Sequence, residues 1–209
     1  MPAEPISKRT VAFIDGQNLF HAARESFGYT FPNYDAAALA HRICQQQLWS
    51  LAQVRFYTGV PDPRDDPRWH TFWSEKLRAM RGQNVYVFSR PLRYRNKRVT
   101  LRDGSVHTFL AGEEKGIDVR IALDVVRMAR CGDLDVALVF SQDQDLSEVA
   151  EEVRLIGKER DRWIKIASAF PSSPTSRNRR GIDKTDWIPI ERATYDACID
   201  PRDYRSRQG

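Results

Sequence analysis

The sequence predicts an α/β protein: one doubly wound domain with a central, mostly parallel sheet of five strands and helices on both faces. Two observations carry that expectation. Short β-branched and apolar runs alternate along the chain with longer segments whose apolar residues recur at helical spacing. The short runs are continuously apolar, as parallel strands buried on both faces require. No internal repeat breaks the pattern, and 209 residues with 41% hydrophobic content suit one domain with a sizeable core.

The elements follow in order. Residues 10–15 read as a buried strand, and residues 19–27 as a helix stopped by Gly28. Asp35 is a good N-cap for a second helix that sets Leu39, Ile43 and Leu48 on one face. Residues 53–59 form the next strand. Trp69, Phe72, Trp73, Leu77 and Met80 then make a helical stripe ended by Gly82. Such a stripe could be an aromatic platform for nucleic acid, but helical spacing of large apolar residues is how cores are built, and core is the favoured reading. A third strand is expected over residues 84–89. Residues 90–108 change character, becoming basic and alternating, with Asp103-Gly104 as a hairpin turn. Residues 117–130 read as a helix and 136–141 as the most buried strand; Leu146, Val149, Val153 and Ile156 follow at helical spacing. Residues 163–169 give the fifth strand. Residues 171–184 open as a loop of turn formers and arginines, residues 187–190 suit a short last strand, and the chain from Pro201 is expected to fray.

Bulk properties exclude some classes. No apolar run approaches the roughly 20 residues that cross a bilayer. Met1-Pro2-Ala3-Glu4-Pro5 lacks the apolar stretch of a signal peptide. Cys44, Cys131 and Cys198 are odd in number and widely spaced, which suits reduced thiols and a cytoplasmic setting. The net charge of +5 is a weak hint of a polyanionic partner, but its distribution is uneven. Arg90, Arg93, Arg95, Lys97, Arg98 and Arg102 crowd one stretch, and Arg177, Arg179, Arg180 and Lys184 another.

Three motifs carry the chemistry. They are Phe13-Ile14-Asp15-Gly16-Gln17-Asn18, Glu114-Lys115-Gly116-Ile117-Asp118 and Ser141-Gln142-Asp143-Gln144-Asp145. Carboxylates at the ends of buried strands are hard to desolvate unless they are paired or neutralised. Ligands of doubly wound sheets bind beyond the carboxyl ends of the strands, where Asp15 and Asp143 are expected. A divalent cation would relieve the mutual repulsion of such groups, and Mg²⁺ or Mn²⁺ prefers oxygen ligands. Each residue also has a plainer reading. Asp15 and Asp118 could simply serve helix starts, Lys115 could be an ordinary surface lysine, and Asp145 with Glu148 resembles a capping box. Asp143 therefore ranks above Asp145 as a direct ligand. Glu114 would share a face with Asp118 if the helix begins early; Asn18 and Ser141 would support the carboxylates.

Rival chemistries fail. Gln17 stands where a phosphoaspartate transferase wants a second Asp, and no Walker loop or dinucleotide fingerprint follows the first strand. His21, His41, His70 and His107 show no metalloprotease spacing, and no nucleophile elbow is present.

Taken together and in order, the three motifs resemble those of the NYN domain, a branch of the PIN-like nuclease superfamily, and its bacterial LabA-like members in particular. The resemblance spans residues 10–169. It implies a PIN-like three-layer α/β/α sandwich, with the basic hairpin as an insertion, and a Mg²⁺- or Mn²⁺-dependent ribonuclease. It implies a catalytic acidic cluster of Asp15, Asp118, Asp143 and Asp145, the first three as metal ligands. Residues 1–9 are then an N-terminal extension, 10–190 the NYN/PIN-like domain and 191–209 a C-terminal tail. Gln142 and Gln144 depart from the family's smaller residues and are expected to narrow the cleft or alter substrate contacts.

On this reading the chain hydrolyses phosphodiester bonds of single-stranded or structured RNA. Arg93, Arg95, Lys97, Arg98, Lys115, Arg179 and Arg180 would draw in the backbone, and Tyr94 would stack on an unpaired base. Two other readings stay open: a non-catalytic RNA-binding or adaptor protein with a vestigial pocket, and a DNA flap-type nuclease. The exposed arginines would serve a homodimer interface as readily as RNA.

Overall fold

The computed structural model describes residues 2–101 and 103–205; Arg102 of the basic cluster lies outside the described residues. Among the described residues, six strands form one wholly parallel sheet in the order β3-β2-β1-β6-β7-β8. They are β1 (Arg9–Asp15), β2 (Ser50–Val60), β3 (Tyr86–Pro91), β6 (Val136–Phe140), β7 (Lys165–Pro171) and β8 (Asp186–Ile190). The helices are α1 (Gly16–Phe27), α2 (Ala36–Gln46), α3 (Pro67–Gly82), α4 (Ile117–Cys131), α5 (Ser147–Glu159) and α6 (Arg192–Asp196). No helix among the described residues is long and apolar enough to cross a membrane.

Alternation along β1 explains the layering. Ala12 and Ile14 face a core shared with α1, α2, α3 and Tyr195 of α6, whereas Val11 and Phe13 face a second core built with α4 and α5. The result is helices on both faces of a parallel sheet. Each fully buried Phe, such as Phe13 or Phe56, contributes about 1.5–3 kcal/mol relative to exposure. In α3 the aromatic stripe is core: Phe72, Trp73, Leu77 and Met80 are buried and Trp69 packs against them.

Several expectations need correction. The sheet has six strands rather than five, because Asp186–Ile190 pairs in parallel with β7. As an edge strand it tolerates Pro189, whose missing N–H would break a central ladder. Leu48 does not share the α2 face; it follows the helix at φ 56° and is 86% exposed. The hairpin is a separate two-stranded sheet of β4 (Arg93–Thr100) and β5 (Val106–Glu113), so it runs past residue 108. The chain beyond Ile190 also folds back onto the core. Tyr195 is fully buried, Lys76 Nζ lies 3.5 Å from Asp200, and Tyr204 meets Phe72 edge-on, so residues 201–205 are held rather than frayed.

The strand order reverses between β1 and β6. Their carboxyl ends, at Asp15 and just before Ser141, therefore flank the crevice that such sheets use for ligands.

Candidate functional site

Asp15 ends β1 and caps α1, its carboxylate accepting the Asn18 N–H at 3.0 Å. The residue is buried, and burial is the main reason its pKa rises from 3.8 to about 7. Repulsion from Asp143 and Asp118 adds to the rise, against the N–H groups of Asn18 and Gln17. The Asn18 side chain does not orient a carboxylate. Its Oδ1 accepts the Gln142 N–H at 2.9 Å, which ties α1 to the turn after β6.

That turn is built on Ser141 and Asp143. The buried Ser141 Oγ accepts the Asp143 N–H at 3.1 Å, and Asp143 accepts the Asp145 N–H at 3.0 Å, capping a 3-10 turn over Gln144–Leu146. The cap is thus Asp143, two residues before the Asp145 of the Asp145–Glu148 box expected from sequence. Asp145 is exposed and stands outside the cavity that Asp143 lines.

The middle motif folds differently from its expectation. Gly116, at φ 72°, sets a left-handed start for α4, so Glu114 precedes the helix and shares no helical face with Asp118. Asp118 sits in the first turn. Glu114 instead accepts the Gly59 N–H. Burial, then repulsion from Asp15, raises its pKa from 4.5 to about 8, against the Gly59 hydrogen bond and with a further push from Asp118.

Asp15, Asp118, Asp143 and Glu114 meet with Lys115 around one cavity of about 270 Å³. Among the described residues, no three His, Cys, Asp or Glu side chains are already drawn together tightly enough to grip an ion. The donor chemistry nonetheless fits a hard cation: every acidic donor is a carboxylate, and two of them are pushed up in pKa by burial and mutual repulsion. Arg90 was not singled out as a site residue, yet its guanidinium lies 2.9 Å from where a Cβ on Gly116 would stand. The available signal was its place at the carboxyl end of β3, on the same side of the sheet as Asp15.

The remaining basic candidates lie off the cavity. Arg93, Arg95, Lys97 and Arg98 are exposed along β4, with Lys97 3.0 Å and Arg95 4.0 Å from Glu113. The Tyr94 hydroxyl accepts the Asp62 N–H at 3.1 Å, so this side chain anchors the hairpin. Arg179 donates to the Ser176 carbonyl, and Arg180 pairs with Asp183 at 3.0 Å. Gln142 and Gln144 dock this arginine loop: they donate to the carbonyls of Arg180 at 2.8 Å and Gly181 at 2.9 Å, and Gln144 accepts the Asp183 N–H at 3.0 Å.

The family model of the NYN domain matches residues 9–177. The chain belongs to the NYN domain family. NYN domains are usually nucleases and generally use divalent metals, which supports a hydrolase at that coarse level. Among solved structures, a protein of unknown function from Vibrio parahaemolyticus is 21% identical with a TM-score of 0.53, over 91% of this chain and 98% of that one. At that identity it shows a shared fold. Ribokinase from Giardia lamblia (9% identity, TM-score 0.38, 82% of this chain and 53% of that one) is more distant from this NYN chain. So is MurG from Acinetobacter baumannii (13%, 0.32, 86% and 45%). No curated protein sequence matches the chain.

Proposed function

We propose that this NYN protein is a divalent-metal-dependent endoribonuclease acting at the cavity between β1, β6 and α4. The observation that carries the reading is the convergence of Asp15, Asp118, Asp143 and Glu114 on one crevice at the strand-order reversal. A Mg²⁺ or Mn²⁺ ion held by Asp15, Asp118 and Asp143 would supply Lewis-acid activation of water and offset charge building on the phosphate.

The chain's own residues prepare that site. Asn18 holds the Asp15 and Asp143 segments in register through both its backbone and its side chain. Ser141 fixes the Asp143 backbone, and the Gly59 N–H orients Glu114 as a further oxygen donor. Lys115 on the wall and Arg90 beside Gly116 set positive charge where a phosphodiester enters. The exposed arginines of β4 and of the 177–180 loop extend that field and make binding salt-sensitive. The choice of RNA rests on the family.

The test incubates the protein with matched single-stranded and structured RNA and DNA, with Mn²⁺ or Mg²⁺ and with chelator. Expected is RNA cleavage that stops with chelator and in Asp143→Asn. Cleavage that ignores either change overturns the metal proposal. Salt-dependent binding without turnover, indifferent to the acidic substitutions, supports the adaptor reading instead, and preferential DNA cutting the flap-nuclease one. Metal at about 100 times Kd should also stabilise wild type by about 2.7 kcal/mol and so raise its melting temperature, and should do neither for Asp143→Asn.

A further inference from the structure

Beside the acidic cavity lies a second one of a different character, about 240 Å³ in volume, between α1 and α3. Its walls are rings and apolar surface, among them Phe20, Trp69 and Leu92, and its polar side chains are Gln17, His21 and Asp66. We infer that this cavity seats one unstacked nucleobase of the RNA strand whose phosphate enters the acidic site. The inference rests on the ribonuclease reading and deepens it.

Three observations support that occupant. The first is continuity. Gln17 lies two residues after Asp15, and a Cβ on Gly59 would collide with both Leu92 of this cavity and Glu114 of the acidic one. Leu92 of one cavity and Glu114 of the other thus pack against the same glycine. The second is charge. Among the described residues no Lys or Arg lines the ring-walled cavity, and a carboxylate does, so a phosphate is unwelcome there while Lys115 and Arg90 stand at the other. Burial, with Arg24 nearby, lowers the His21 pKa, which keeps the imidazole neutral near pH 7. The third is shape and edge chemistry. Phe20 and Trp69 pack against the core on one side, with Arg24 5.7 Å over the Phe20 ring, yet both are only half-buried and line the cavity. A heteroaromatic base stacks on such rings, as single-stranded nucleic acid commonly does on aromatic platforms. Gln17 both donates and accepts, and Asp66, whose Oδ1 takes the Trp69 N–H at 3.1 Å, accepts from exocyclic amines.

The test measures binding by fluorescence anisotropy with chelator present. It compares a short single-stranded RNA with the same strand carrying abasic units. Wild type should bind the base-bearing strand about tenfold more tightly, the scale of one stacked base. Phe20→Ala should lose that advantage while binding the abasic strand as before. Phe20→Leu keeps the bulk but removes the ring, and should behave alike if Phe20→Ala fails to fold, as thermal melting would reveal. Equal wild-type binding of the two strands by a protein that cleaves RNA with metal overturns the base seat and leaves the ribonuclease reading standing. A ring-dependent preference in a protein that never cleaves overturns the ribonuclease reading and keeps the seat. A Phe20→Leu variant that binds both strands as wild type does overturns the seat.

Discussion

Asp124 and Asp15 are both buried carboxylates, 2% and 6% exposed, yet the protein treats them in opposite ways. On the α4 side of the sheet, Asp124 Oδ2 accepts from Arg55 Nη2 and from the Tyr57 hydroxyl, each at 2.8 Å, while Arg120 lies 2.9 Å from Oδ1. Burial pushes the Asp124 pKa up, but the Arg55 and Tyr57 hydrogen bonds and the arginine charges outweigh it, and the net shift is downward. Among the described residues, Asp15 has only backbone N–H groups against burial and two like charges, and its pKa climbs to about 7. Burial alone therefore does not mark a site. A buried carboxylate left without a cation of its own, facing others of its kind, does.

Removing Asp124 should have the largest effect on stability. Asp124→Ala leaves Arg55 buried and uncompensated, and unfolding in urea should show a loss of about 3–5 kcal/mol. Asp15→Asn should do the reverse. It keeps a cap for α1 and removes a repelling charge, so stability without metal should hold or rise while cleavage falls by more than the roughly 10–100-fold of a lost outer-shell contact. A stability loss in Asp15→Asn as large as in Asp124→Ala would erase the distinction between the two carboxylates.

Much of this contrast was legible in the sequence, because strand and helix periods are local signals. Asp15 at the end of Val11-Ala12-Phe13-Ile14 and Asp118 after Gly116 fall where those periods put them. What escaped depends on distant partners. β8 is readable as a short last strand, but its place as the sixth strand of the central sheet shows only in its pairing with β7. Glu114 left its expected helical face because Gly116 fixes where α4 begins and Gly59, 55 residues away, takes its carboxylate. Nothing local announces the hydrogen bond that the Tyr94 hydroxyl accepts from the Asp62 N–H, so its anchoring of the hairpin could not be read from the sequence. Gln142 and Gln144 looked like cleft residues, yet their amides reach a loop 36–39 residues onward.

The same contrast sets a smaller pH effect. Asp15 and Glu114 have folded-state pKa values of about 7 and about 8, above the ordinary 3.8 and 4.5. Their contribution to stability is fully present below those ordinary values and is lost as pH rises through the raised ones. Asp124 works oppositely, with a contribution present above its ordinary value and lost in acid, so it is constant over this window. Lys76, lowered to about 8 chiefly by burial, gains stability only as pH rises beyond that. Without metal, the melting temperature should therefore decline between about pH 5 and pH 8, by about 2–4 °C for each kcal/mol lost. The decline should flatten in the Asp15→Asn, Glu114→Gln double variant; an undiminished slope there would mean the acidic cavity does not carry it.

The smallest effect should come from Asp145, two residues from Asp143 and identical in chemistry. Its contribution to the turn is its backbone N–H, donated to Asp143, which Asp145→Asn retains. Its own side chain is exposed and lines no part of the acidic cavity, so water already screens whatever charge it carries. Cleavage by Asp145→Asn should stay within about twofold of wild type, the reach of a screened surface charge, while Asp143→Asn is inactive. A loss in Asp145→Asn matching that of Asp143→Asn would bring Asp145 into the metal set. The turn after β6 would then have to unwind from its 3-10 form when the ion binds, since the present one directs only the first of the two carboxylates inward.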